Sequence, residues 1–394
     1  MNTKYIRFGV GLDVSEADLE AALAVMDSRG ELKTVARRSF ANRPGGFKAL
    51  QRWLSKQGLS TDRAGVILLE ATGVYYEQCA LALQQAGWEV SVTLANKAKR
   101  YMQALGLRSK TDRIDAGGLA MMAAGMPQQS WRPLDEFWFP LRGLTRQHQS
   151  LQELRTQLGN QLHAHTKSIY SVALVEHQLK TTLAGTERQL KELEGAITKH
   201  LQSDAQVWKN VQQLTSIKGV GVLCVAVVLA ETNGFGLITN ARQLISYAGY
   251  DVVENQSGSR RGKTRISKKG NGRIRRILHM PALNAVRFQG GVFADLFERT
   301  YARHGVKMKS YVAVQKKLLT ILYSLWNTGE AFDPEYQTRR GAQDQTEAEA
   351  PETNQENPQT KTAPPMSGEA AEGRPEPRKA PKTPVKSKPK KSGA

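Results

Sequence analysis

Four carboxylates stand where predicted strands or helices meet a polar edge. Asp13 interrupts a strand rich in β-forming residues, and Glu70 closes a short apolar strand. Asp112 and Asp115 lie three residues apart at the start of an Ala- and Met-rich helix, so they share one helix face. Carboxylate oxygens are the ligands that Mg²⁺ prefers, and a cation relieves their repulsion. Two such ions can hold the attacking and leaving oxygens of a phosphodiester. The pattern therefore indicates metal-dependent phosphoryl chemistry.

The same acids are also compatible with purely structural roles. Asp112 could be a helix N-cap, since Asp is favoured there. Asp115 could complement the helix dipole, and Asp13 and Glu70 could pair with Lys or Arg. The residues alone leave these alternatives open.

A second candidate site is a basic, glycine-rich loop. Nine of the twenty residues from Ser257 to Arg276 are Lys or Arg, and none is acidic. Such a loop suits contact with a nucleic-acid backbone. A P-loop for ATP is excluded, because three residues separate Gly258 from Gly262 where that motif needs four. The predicted contacts in this loop and the helix after it are Arg260, Arg261, Lys263, Arg265, Lys268, Lys269, Arg273, Arg275 and Arg276.

A glycine-containing turn precedes the apolar segment Val222–Glu231. Lys218, Gly219 and Gly221 in this turn predict a helix-hairpin-helix element whose backbone N–H groups bind phosphate. The alternative is an ordinary tight turn between two helices that needs glycine for its conformation.

Composition supports a nucleic-acid partner. The formal net charge is +20, and the first 340 residues carry 47 basic against 28 acidic side chains. A hydrophobic fraction of 40% excludes a wholly disordered chain. No apolar run of 18 residues or secretory signal occurs, so we expect no membrane contact and a cytoplasmic location with the nucleoid. Two cysteines exclude a disulfide framework and a Cys-rich zinc site.

The elements that must position these residues fall into four segments. Strands alternate with helices up to residue 126, which predicts a mixed α/β sheet domain over 1–126. Residues 127–206 form an aromatic connector and two long helices, either an antiparallel pair or an intermolecular coiled coil. A helical domain is predicted over 207–338. The tail 339–394 is Pro-rich without aromatic residues, which predicts disorder.

Three short motifs resemble those of the insertion-sequence-110 family of DEDD transposases, also called bridge-RNA-guided recombinases and related to the Piv invertase. They are Gly11-Leu12-Asp13-Val14-Ser15, Glu70-Ala71-Thr72-Gly73 and Lys110-Thr111-Asp112-Arg113-Ile114-Asp115-Ala116. The resemblance implies a RuvC-like first domain with an RNase H fold. It also implies that Asp13, Glu70, Asp112 and Asp115 bind two Mg²⁺ ions.

The resemblance extends to the second domain. Ser257-Gly258 with Gly262, followed by Ile266-Ser267-Lys268-Lys269-Gly270, matches the family's serine block in order and spacing. It implies that Ser257 joins covalently to DNA, in a composite site between protomers of a dimer or tetramer guided by a noncoding RNA. One departure is Gly249-Tyr250-Asp251-Val252, where the family more often has Gly-Leu-x-Pro.

The function predicted is cleavage and exchange of DNA strands by a transposase that mobilises its own element. Two other functions use the same residues differently. A Holliday-junction-type nuclease that hydrolyses with water needs the carboxylates but not Ser257. In a non-enzymatic nucleic-acid scaffold the acids are structural.

Overall fold

The computed structural model describes residues 5–61, 65–71, 73–106, 111–133, 135–254, 256–258, 260–262 and 264–336, with Arg260 and Arg261 as backbone only. The chain up to Gln337 forms one compact unit. The tail predicted over 339–394 lies outside the described residues.

A five-stranded mixed sheet forms the first part of the chain. Its strands are β1 (Tyr5–Val14), β2 (Asp18–Asp27), β3 (Leu32–Ala41), β4 (Val66–Glu70) and β5 (Val90–Thr93). The strand order is β3-β2-β1-β4-β5; the first three pair antiparallel, and β4 pairs parallel with both β1 and β5. The α/β prediction for this region is confirmed.

Helices cover both faces of this sheet. Helices α1 (Pro44–Lys56) and α2 (Tyr76–Gln85) pack on the face that presents Val10 and Leu12 of β1. Helices α3 (Ala95–Ala104) and α4 (Asp112–Gly125) cover the other face. Helix α3 was not predicted, because Ala98 is its one buried residue and apolar periodicity does not mark it.

Two 30-residue helices follow, α5 (Trp138–Lys167) and α6 (Ala173–Gln202). They lie antiparallel, since His148 near the start of α5 contacts Glu194 near the end of α6. At the far end of the pair, His165 of α5 accepts a hydrogen bond from the backbone N–H of Val172. Of the two arrangements predicted, the structure has the antiparallel pair within one chain.

The remaining helices build one shared core. They are α7 (Ala205–Thr215), α8 (Val222–Thr232), α9 (Ala241–Ala248), α10 (Gly272–Ile277), α11 (His279–Asn284), α12 (Val292–His304) and α13 (Lys307–Thr328), with a π-helical turn over Ala285–Gln289. Leu141 of α5 and Ile197 of α6 are buried in the same core, so the helix pair is anchored to this bundle at one end.

Short strands interrupt the helical second half between α9 and α10. An outer ladder pairs β6 (Val252–Val253) with β9 (Arg265–Ile266), and an inner ladder pairs β7 (Gln256–Ser257) with β8 (Arg260–Arg261). The sequence predicted a loop here, and two-residue strands are too short for alternating hydrophobicity to reveal. We call residues 252–266 the ribbon.

The two cysteines are both buried and free, as expected for thiols in apolar helical segments. Burial raises the pKa of Cys79 and of Cys224 to about 12, so both thiols stay protonated at neutral pH. Within the described ranges, every helix is too short or too polar to cross a membrane.

Candidate active site

Asp13 lies at the end of β1 on the face that α4 covers. A Cβ atom on Gly9 or Gly11 would overlap the backbone of α4, so these glycines let the helix lie directly against the strand. Residues two apart on a strand point to one face, which places Asp13 on the same side as the two glycines. Gly9 faces Ala124 of α4 and Gly11 faces Ala116, so Asp13 is next to the start of that helix.

Asp112 and Asp115 occupy the first turn of α4. The N-cap of this helix is Thr111, whose side chain accepts a hydrogen bond from the backbone N–H of Ile114 at 3.3 Å. The alternative that Asp112 is the N-cap is therefore wrong, because Asp112 already has a helical conformation. Both carboxylates thus belong to the turn of α4 that lies next to the end of β1.

Glu70 reaches the same place through strand pairing. It is the last residue of β4, and the parallel register pairs Leu12 of β1 with Leu69 of β4. The carboxyl ends of the two strands therefore meet at one edge of the sheet, with Asp13 beside Glu70.

The charges of the other three acids act on Asp13. The pKa of Asp13 is raised from its ordinary 3.8 to about 6, first by burial and then by the negative charges of Asp112, Asp115 and Glu70. A carboxylate surrounded in this way is destabilised when it is ionised. The tertiary structure thus brings together acids that are far apart in the sequence.

The four carboxylates fit a divalent cation in donor chemistry and in charge. In the part of the chain that the structure describes, no three His, Cys, Asp or Glu side chains are arranged closely enough to hold a metal ion by themselves. The group is therefore a set of convergent acids rather than a closed coordination shell, and bound cations would have to draw the side chains together.

We expect Asp13→Asn to stabilise the protein in the absence of divalent cations. Because the folded pKa of Asp13 is raised, its stabilising contribution is complete below pH 3.8 and is lost as pH rises through about 6. In EDTA at pH 7.5 the variant should melt higher, by about 1–2 °C for each kcal/mol of destabilisation that the substitution removes, because the entropy of unfolding grows with chain length. Scanning calorimetry measures this, with the exposed Asp18→Asn as control. An equal Tm for variant and wild type at pH 7.5 would contradict the electrostatic coupling.

Ser257 lies on the ribbon, in the second half of the chain. It pairs with Arg260 across the inner ladder, and its residue is exposed. Gly258, which follows it, has φ +56°, a left-handed conformation that favours glycine at the tip of the ribbon. The ribbon thus presents the serine to solvent. Lys263 lies outside the described residues, as do the side chains of Arg260 and Arg261.

The base of the ribbon is held firmly against the helical bundle. The backbone N–H of Ser267 donates to the backbone oxygen of Asp251 at 2.7 Å, and that of Lys268 donates to the backbone oxygen of Gly249 at 3.1 Å. Tyr250 is buried, and its hydroxyl donates to Gln315 at 2.9 Å. The segment that departs from the family pattern therefore anchors the serine-bearing ribbon through a buried hydrogen bond.

The predicted basic contacts have unequal surroundings. Arg265, Lys268 and Lys269 are exposed. Arg275 instead donates to the backbone oxygens of Ala248 and Gly270, and Arg276 is ion-paired with Glu153 of α5. These last two guanidinium groups thus already have partners within the protein.

The turn between α7 and α8 is packed against the π-helical turn. The backbone N–H of Lys218 donates to the side chain of Gln289 at 3.0 Å. Gly219 has φ +96°, and a Cβ there would be 2.5 Å from that of Asn284. Conformation and close packing thus both require glycine at position 219. Gly221 is the N-cap of α8 and is exposed.

A charged cluster that the sequence patterns did not indicate surrounds Glu231 of α8. Its side chain is 1% exposed and accepts hydrogen bonds from Arg146 at 2.8 and 3.0 Å. Asn271, the N-cap of α10, donates to the same carboxylate at 2.8 Å. Burial would raise the pKa of Glu231, but these hydrogen bonds and the nearby arginine charges outweigh burial and lower it. The sequence feature that could have indicated this cluster is the single acidic residue in the apolar run Val222–Thr232.

Removing charge from the ribbon should weaken binding to polyanions. For Arg260→Ala, Arg261→Ala and Lys263→Ala combined, we expect the slope of log K against log salt to fall by about 0.9 for each phosphate that the ribbon no longer neutralises. Fluorescence anisotropy with a DNA duplex measures this. Removing three exposed cations of α6 (Arg188, Lys191 and Lys199) is the control for net charge. Equal slopes for the ribbon variant and wild type would mean that the ribbon does not contact the backbone.

Comparisons with known proteins cover most of the described body. The family model described as "Transposase IS116/IS110/IS902 family" matches residues 211–298. The model of the DEDD transposase of IS110, described as a transposase, matches residues 10–171. The match over residues 10–171 contains all four carboxylates, and the match over residues 211–298 contains Ser257 and the basic residues around it.

Two curated relatives align over nearly their whole length. The pilin gene-inverting proteins of Moraxella bovis and Moraxella lacunata are each 25% identical over 335 residues, covering 82% of this chain and 97% of the relative. Among solved structures, Thermus thermophilus RuvC in complex with a Holliday junction substrate has 12% identity and a TM-score of 0.23. A second structure of RuvC from Thermus thermophilus has 16% identity and a TM-score of 0.24. Each covers 29% of this chain and 90% of the matched one.

Proposed function

Because this chain belongs to the IS116/IS110/IS902 family of transposases, we propose that it cleaves and exchanges DNA strands to mobilise its own element. The observation that carries the proposal is the pairing of two parts, a convergent carboxylate group and an exposed serine on a basic ribbon. Each part lies in a segment that matches the family. The relatives that invert pilin genes support rearrangement of DNA as the reaction class.

The carboxylate group supplies the metal ligands of this proposal. Asp13, Glu70, Asp112 and Asp115 would bind two Mg²⁺ ions, which supply positive charge at the reacting phosphate. The pKa of Asp13, about 6, leaves it mostly ionised at neutral pH and able to act as a ligand. The strand order and the helix that carries Asp112 and Asp115 across the sheet support assignment of this part to the RuvC-like, RNase H-type folds.

Ser257 supplies the nucleophile. Its hydroxyl oxygen attacks the phosphorus of one DNA strand and loses its proton, while the bond from phosphorus to the leaving deoxyribose oxygen breaks and that oxygen is protonated. A phosphoserine ester preserves the phosphodiester energy, so a hydroxyl of a second strand can attack it and release the serine without ATP. The cations beside it on the ribbon, Arg260 and Arg261, would favour the charged transition state.

The two parts of the site would come from different protomers of a dimer or tetramer. In the sequence, the two 30-residue helices α5 and α6 separate the acids from the serine, which allows the two segments to meet across protomers. A noncoding RNA would specify the sites, and the reaction would take place in the cytoplasm, where the chromosome lies.

One experiment tests the proposal against hydrolysis. The purified chain is incubated with Mg²⁺, DNA that carries the element's ends, and RNA transcribed from the sequence flanking the gene. We expect recombined DNA and a denaturation-resistant protein–DNA adduct. Nicked DNA with no adduct and no exchange would support a nuclease that uses water instead, and exchange without the RNA would remove the guide from the proposal.

A further inference from the structure

We propose that Arg142, Arg146 and Arg273, gathered around the buried carboxylate of Glu231, form a binding site for a phosphate of the nucleic-acid backbone. The inference rests on the proposed function in one respect, since it assumes a polynucleotide substrate. It adds Arg142 and Arg146 of α5 to Arg273 of α10, which the basic segment of the sequence had already indicated as a contact.

Glu231 accounts for only part of the hydrogen-bonding capacity of the three arginines. Arg146 is bound by both carboxylate oxygens. The Nε atoms of Arg142 and Arg273 each lie 3.8 Å from a carboxylate oxygen, beyond hydrogen-bonding distance. The Nε atom of Arg142 is also buried and has no hydrogen-bond partner among the described residues. A buried donor without a partner is costly, so Glu231 alone does not satisfy the hydrogen-bonding groups of the cluster.

The cluster also carries more positive than negative charge. Three guanidinium groups surround one carboxylate, and Glu77 of α2 is the further acid whose charge acts on Arg146. The side chains of Arg142, Arg146 and Arg273 are 28%, 37% and 43% exposed, so an anion can approach them from solvent. Guanidinium groups match the oxygens of a phosphate in planar, two-pronged contacts. Glu231 would therefore orient the arginines, while their outer donors bind the ligand.

The position of the cluster suggests what the contact does. Arg273 lies in the first turn of α10, directly after the ribbon that carries Ser257, and Asn271 ties the start of this helix to Glu231. Arg142 and Arg146 act electrostatically on Tyr76 of α2, which follows the strand that ends at Glu70. A phosphate bound by the cluster would therefore be near two segments of the chain. One is the start of α10, which follows the ribbon, and the other is the start of α2, which follows β4 and Glu70.

The test measures salt-dependent binding of the full-length protein in EDTA, which prevents cleavage. Fluorescence anisotropy is recorded with a DNA duplex and, separately, with an RNA duplex of the same sequence. For Arg142→Gln we expect the salt slope to fall by about 0.9 and the affinity at 150 mM salt to fall about fivefold. Arg142→Lys keeps the charge and should retain the wild-type slope. Arg188→Gln on α6, which removes an exposed arginine elsewhere, is the matched control.

The outcomes separate this site from the proposed function. A reduced slope on both duplexes supports a general backbone phosphate site, and a reduced slope on one alone assigns the site to that nucleic acid. An Arg142→Gln variant with wild-type slope on both duplexes would overturn the phosphate site, leaving the cluster a structural ion-pair network. A wild-type chain that binds neither duplex would contradict the proposed function itself.

Discussion

Ser257→Ala should abolish strand exchange and the covalent protein–DNA adduct together. The substitution deletes one oxygen from an exposed residue, so the free energy of unfolding should change by no more than about 0.5 kcal/mol. DNA binding should persist because the surrounding cations remain. A gel assay of recombined DNA, together with mass-spectrometric mapping of the trapped adduct in the wild type, measures both effects.

A neighbouring serine provides the control for this experiment. Ser267→Ala removes a hydroxyl from the segment that follows the ribbon, where its oxygen accepts a hydrogen bond from the backbone N–H of Lys269. It should retain exchange activity. If Ser257 merely contacted a phosphate, its removal would cost about 1 kcal/mol, or roughly fivefold in activity. An adduct on another side chain would contradict the assignment of the nucleophile.

Asp13→Asn and Asp112→Asn should each abolish cleavage while the fold and DNA binding remain. Replacing one ligand keeps the shape of the side chain but removes a negative charge from the metal site, and metal ions contribute several kcal/mol of charge stabilisation. That change corresponds to a decrease in cleavage rate of at least about a hundredfold. The rate is measured in Mg²⁺, with anisotropy and circular dichroism as controls for binding and folding.

Asp18→Asn makes the same chemical change at an exposed position on the neighbouring strand and should cleave at the wild-type rate. Binding of Mg²⁺ should also raise the Tm of the wild type, and Asp13→Asn should lose this increase together with cleavage. Cleavage by either Asp13→Asn or Asp112→Asn at the wild-type rate would remove the carboxylates from the mechanism.

Much of the secondary structure could be predicted from local patterns. The strand β1 and the apolar run of β4 have the composition of buried strands, and the Leu spacing of α5 and α6 marks long helices. The carboxylates were candidate metal ligands because each is an acidic residue at the end of a buried strand or at the start of an apolar helix. Local patterns failed where little is buried, as in α3, or where strands are two residues long, as in the ribbon.

Which of the candidate residues meet was decided by long-range packing. Asp13 is near Asp112 because Gly9 and Gly11 allow α4 to lie on β1, and near Glu70 because β1 and β4 pair in parallel. Glu231 binds Arg146, which lies 85 residues away in the sequence, and Asn271, which lies 40 residues away. Likewise, Arg276 pairs with Glu153, a residue 123 positions away, and charge density along the chain does not indicate this contact. Periodicity and charge report the neighbours along the chain, but pKa values, ion pairs and available donors depend on neighbours in space.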